Sequence, residues 1–70
     1  MEGLTDKQVV VVEKLIELAN TKGEAVTPTE VGIALEYDYA SASAKCMNAI
    51  NAAIKRGYIK RVGRGKYVAA

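Results

Sequence analysis

Residues 55–68 read KRGYIKRVGRGKYV. A helical apolar period runs up to Gly57, and beyond it the spacing changes to two. Tyr58-Ile59-Lys60-Arg61-Val62 is a strand pattern, Gly63-Arg64-Gly65 a turn, and Lys66-Tyr67-Val68 a return strand. The stretch therefore predicts a basic β-hairpin over residues 58–68, with Ala69-Ala70 as a frayed end.

Working back from the hairpin, residues 40–56 predict a long third helix that ends at Gly57. Its apolar stripe is Met47, Ile50, Ala53 and Ile54, flanked by Ser43 and Cys46. The opposite face carries Ser41, Ala44, Lys45, Asn48, Asn51, Ala52 and Lys55. Asp38, Ser41 or Ser43 can each cap it. Its first two turns are rich in Ala and Ser, which suits helix propensity and lets a helix backbone approach a partner surface closely.

A shorter helix is expected over 28–35. Thr27 caps it, Pro28 takes the first helical position and Glu30 closes a capping box. Val31 and Leu35 share its apolar face, and Glu36-Tyr37-Asp38 breaks it. The first helix is expected over 6–22, from a Thr5/Gln8 capping box with a Leu4/Val9 staple to Gly23. Val9, Val12, Leu15, Ile16 and Ala19 form its stripe. Four consecutive valines favour a strand, but the surrounding helical period and both end signals override them. Val10, Val11 and Leu18 fall partly off the stripe and serve either a wide core face or a homodimer contact along this helix. Glu24-Ala25-Val26 can be extended. The expected class is thus mainly α with a C-terminal β-hairpin, an α+β order within one 70-residue domain.

Composition removes several functions. The chain has no His, and its one Cys is Cys46, so neither a zinc module, which needs about four N or S ligands, nor an internal disulfide is expected. The longest unbroken apolar run, Val9 to Val12, is far short of the ~20 residues that span a bilayer. The N-terminus lacks the positive and apolar regions of a signal peptide. The expectation is a cytoplasmic protein, or a nuclear one in a eukaryote, that is not secreted and has no membrane or metal partner. A nucleophilic Cys46 would need a nearby base, usually His, and no paired-carboxylate site or nucleotide-binding glycine motif is evident. No enzyme activity and no cofactor are expected, and Cys46 is read as core.

The net charge of +2 conceals a division. Residues 1–44 hold three basic and eight acidic side chains, a net −5. Residues 45–70 hold Lys45, Lys55, Arg56, Lys60, Arg61, Arg64 and Lys66 and no acid, a net +7. A basic face made by the third helix and the hairpin is the electrostatic footprint of a nucleic-acid binder.

These residues resemble a winged helix-turn-helix domain, and among such families the amino-terminal DNA-binding domain of LexA-type repressors. The likeness rests on Leu4-Thr5, Gln8, Val12, Leu15-Ile16, Gly23, Thr27, Glu30-Val31 and Leu35, then Ile50, Ala53, Gly57 and Ile59. The Lys55-Arg56-Gly57-Tyr58-Ile59 helix end before a basic Gly-Arg-Gly hairpin is common to many winged-helix families. Two features depart from the repressor pattern. Glu36 stands where a Gly is usual shortly after Leu35, and the segment before the third helix is a few residues longer. The repressors' self-cleaving domain has no counterpart, so no protease activity carries over.

The resemblance implies that the third helix enters the major groove of duplex DNA. Ser41, Ala42, Lys45, Asn48 and Asn51 would meet base edges, with Asn reading adenine, Lys guanine and Ala a thymine methyl. Lys55, Lys60, Arg61, Arg64 and Lys66 would grip the backbone, with Arg64 reaching a minor groove. The expected function is transcriptional regulation, by a monomer or by a homodimer through Val10, Val11 and Leu18. Two rival expectations are a protein-interaction module of a replication or transcription complex and an RNA-binding or non-specific nucleic-acid protein. Tyr37 and Tyr39 are expected to pack part-buried beside the third helix, and Tyr58 and Tyr67 to pair across the hairpin or pack on that helix.

Overall fold

The structure, a computed structural model, describes residues 2–70, with the backbone alone for residues 39–43 and 45. Three helices, α1 (Asp6–Lys22), α2 (Pro28–Ala34) and α3 (Tyr39–Arg56), precede an antiparallel hairpin of β1 (Ile59–Gly63) and β2 (Lys66–Ala69). The class is α+β.

Local chemistry accounts for the starts of α1 and α2 and for the helix ends, whereas the N-cap of α3 makes no side-chain cap hydrogen bond. At α1, Gln8 N–H donates to Thr5 Oγ1 at 3.2 Å, and Thr5 N–H donates to Gln8 Oε1 at 2.9 Å. Gly23 ends the helix in the left-handed region at φ 69°. The same reciprocal box joins Thr27 and Glu30 at the start of α2, with Pro28 at its first position. The Lys22 ammonium also donates to the Glu30 carboxylate, tying the end of α1 to the start of α2. Asp38, of the three candidates, stands at the N-cap of α3, and Gly57 at φ 82° ends that helix.

Helix α2 stops one residue short of the expectation, with Leu35 as its C-cap. Glu36 follows at φ 64°, the one non-glycine with positive φ among the described residues. Glu36 N–H donates to the Ile33 carbonyl and Tyr37 N–H to the Gly32 carbonyl, each at 2.9 Å. This is a Schellman ending whose usual glycine is replaced by glutamate. Tyr37 leaves the turn packed partly buried against the core, as expected.

The core gathers side chains from every element around Leu15 and Ile50, both wholly buried. Helix α1 touches α2, α3 and β2, so it buries a wider arc than one stripe. Its buried positions are Val11, Val12, Leu15 and Ala19, while Val9 and Ile16 are only half-buried. Of the two readings of Val10, Val11 and Leu18, the wide core face holds for Val11 and Leu18. Val11 is 3% exposed, Leu18 packs against the core, and Val10 alone is open, at 50%. On α3 the buried row is Cys46, Ala49, Ile50 and Ala53, and Ile54, expected inside, is exposed because it lies one residue past that row.

Arg61 opposes Tyr67 and Lys60 opposes Val68 in the hairpin, and the register slips between Arg61 and Gly63. Gly63 belongs to β1, leaving Arg64-Gly65 as the turn, with Gly65 at φ 67°. Tyr58 and Tyr67 do not pair. Tyr67 is buried in the core, while the Tyr58 hydroxyl donates to the Glu2 carbonyl at 2.8 Å. The extended Val26 exchanges two 2.9 Å backbone hydrogen bonds with Tyr67, joining the α1–α2 connection to β2.

Two outcomes test these contacts. Glu36→Gly relieves a left-handed strain of about 1–2 kcal/mol but adds unfolded-chain freedom, for a net gain of roughly 0.5–1 kcal/mol. Thermal unfolding should show Tm rising by a few degrees, and Glu36→Val should lower it. The second outcome concerns acid. The Lys22 ammonium, then the Thr27 amide, hold the Glu30 carboxyl below its ordinary value of 4.5. A depressed carboxyl supports folding above that ordinary value and loses the support as pH falls below it. The Tm advantage of the wild type over Glu30→Gln should therefore shrink in scans taken downward from about pH 6 to about pH 3.

Candidate nucleic-acid interface

The buried row on α3 fixes which of its side chains face outward. Ala44, Asn48, Asn51 and Lys55 follow at three- and four-residue spacing, and all four are exposed. Asn48 and Asn51, expected to meet base edges, thus share one open stripe that runs into Lys55. Ser41, Ala42 and Lys45, expected beside them, lie on the same helix, and their side chains fall outside the described residues, as does that of Tyr39.

The hairpin extends the charge beyond the end of α3. Lys60, Arg61, Arg64 and Lys66 are all exposed. Arg61 Nε–H donates to the Gly63 carbonyl at 3.1 Å, so its guanidinium is tied to the strand end beside the turn. Arg64 occupies the turn itself, where Gly65 supplies the positive φ. Arg56 is held differently. Its guanidinium lies against the backbone of Gly3, where a Cβ would stand 2.5 Å from Nε. Together with the bond from Tyr58 to Glu2, this clasps residues 2–3 to the end of α3.

Pairing divides along the same line as charge. The two ion pairs among the described residues are Lys14 with Glu17, at 3.0 Å, and Lys22 with Glu30. Both lie within residues 1–44. Lys55, Arg56, Lys60, Arg61, Arg64 and Lys66 make no ion pair among the described residues. A charge without a nearby opposite charge keeps its full field for an incoming ligand. Nothing charged is buried among the described residues, so this field is set wholly at the surface.

A groove of about 460 Å³ lies between α1 and α3, lined by Lys7, Gln8, Val11, Tyr37, Asn48 and Ala49. Sequence reading missed it. Lys7 stands four residues before Val11 on α1, but no local spacing links it to Asn48, more than forty residues on. The Arg56 clasp was missed for the same reason, whereas the Arg61 tie spans two residues and depends on the register slip between Arg61 and Gly63.

Among the described residues no three His, Cys, Asp or Glu side chains are grouped to hold a metal, and no helix is long and apolar enough to cross a membrane. Comparison with family models, curated proteins and solved structures finds no match to this chain.

Cys46 reports the rotation of α3. It is wholly buried, and burial pushes its thiol above the ordinary value of 9.0, which suppresses the reactive thiolate. A thiol reagent at neutral pH should label native protein only as fast as it unfolds. In a Cys46→Ala background, Asn48→Cys should label at the rate of a free thiol. Equal native rates at both positions would mean that α3 is turned the other way.

Proposed function

We propose that this chain is a small winged-helix DNA-binding protein and a transcriptional regulator. Helix α3 lies in the major groove of duplex DNA and presents Asn48 and Asn51, with Ser41, Ala42 and Lys45 ahead of them. The hairpin is the wing, and Lys55, Lys60, Arg61, Arg64 and Lys66 neutralise phosphates. The observation that carries this reading is the run of cations on α3 and the hairpin that make no ion pair among the described residues, in a chain whose acids all lie before residue 39.

The physical argument is electrostatic. Duplex DNA concentrates negative charge, and lysine and arginine that neutralise it release condensed counterions. Half of the ten side chains assigned to the interface are cations on phosphates, and phosphate contacts position a protein without specifying sequence. Each subunit therefore binds with modest sequence preference. The acidic outer part, net −5, is repelled by the duplex and turns the basic face towards it.

Fluorescence titration against random duplex DNA tests the reading. Neutralising about five phosphates should give log K against log salt a slope of about −4 to −5. A flat response would sink the proposal. Arg64→Ala should weaken binding to all sequences alike, whereas Asn48→Ala should change which sequences are preferred. The reverse pattern would mean that the roles of α3 and the hairpin are exchanged.

A further inference from the structure

The groove between α1 and α3 has a distinctive chemistry for its place in the chain. Residues 1–44 carry eight carboxylates, yet none lines this groove. Among the described residues that line it, the charged one is Lys7, which is exposed and makes no ion pair among the described residues. The other two lysines of that segment, Lys14 and Lys22, are each paired with a glutamate. Val11 and Ala49, both buried, supply an apolar floor, and Gln8, Asn48 and Tyr37 are the polar residues among the described ones that line it. Gln8 uses Oε1 for the helix cap, which leaves its amide N–H groups as donors. By contrast, the second groove, of about 280 Å³ between the end of α1 and the hairpin, is lined by Glu24 and by no cation among the described residues.

Asn48 belongs both to the exposed stripe of α3 and to this groove. We infer that the groove seats the sugar–phosphate strand bordering the bases met by Asn48, with Lys7 as its phosphate contact. The inference rests on the DNA-binding reading and adds to it a second contact region, on α1 in the acidic part of the chain. A cation beside two carboxamides fits phosphate oxygens, and an apolar floor fits the faces of deoxyribose.

The test is a titration of the full chain and its variants with random duplex DNA over a range of salt. Lys7→Gln should lower affinity several-fold at low salt and reduce the salt slope by about 0.9, the share of one phosphate contact. Lys7→Arg should keep the slope, and Lys14→Gln, which removes the same charge from a paired lysine, should leave affinity and slope unchanged. An unchanged slope in Lys7→Gln while Arg64→Ala loses its share would overturn the groove and leave the DNA-binding reading standing. Equal losses in Lys7→Gln and Lys14→Gln would also overturn it, because Lys7 would then act only through net charge. A wild-type chain with no salt-dependent binding would remove the reading and the groove together.

Discussion

Helix α1 is wedged against α2, α3 and β2 at once, and the remaining contacts follow from how it fills that position. A helix with neighbours on three sides must bury adjacent positions as well as those one turn apart. Val11 and Val12 are consequently both inside, with Leu15 and Ala19 above them. The valine run is poor helix sequence but supplies branched volume where it is needed. Removing Leu15 would open a cavity between all the layers, a change that typically costs about 2–5 kcal/mol. With no charge among the described buried residues, every described charge is left to the surface, where its neighbours decide its effect.

The turn between α2 and α3 balances packing against backbone strain. Tyr37 must fold back onto the core directly after α2 ends, and Glu36 is driven into the left-handed region to allow it. Two backbone hydrogen bonds and the burial of part of a tyrosine offset that strain. Glu36 thus stands at a position where glycine would be the easier residue. The other joints are relaxed. Capping boxes start α1 and α2, glycines end α1 and α3, and Lys22 with Glu30 fastens two helix ends together.

The proposed interface depends on charges that are kept apart. Pairing consumes two of the three lysines in the acidic segment and none of the described cations after residue 45. Exposed pairs of this kind contribute little stability, so their main effect here is on the field around the molecule. Arg61 and Arg56 show that exposed cations of one sign can be held in different ways, one across a strand end and one against the N-terminal segment. The first pre-orders the hairpin tip, and the second couples residues 2–3 to the last turn of α3.

Much of the architecture was legible in the chain because it is written in local chemistry. The cap residues Thr5, Thr27, Gly23 and Gly57 act within four residues of themselves, and the change of period after Gly57 marks the hairpin. The charge division was legible too, since it needs only counting. Which residue of a stripe faces the core was not. Val11 in place of Val9, and Ala49 in place of Ile54, depend on where neighbouring helices press, and a shift of one residue turns a helix by about 100°. The bridge from Val26 to Tyr67, the bond from Tyr58 to Glu2, and the meeting of Lys7 with Asn48 in one groove join residues more than forty positions apart. The elements, their ends and the sign of charge on each follow from neighbours along the chain and could be read there. Which faces are buried and which distant side chains share a surface follow from packing, and needed the folded molecule.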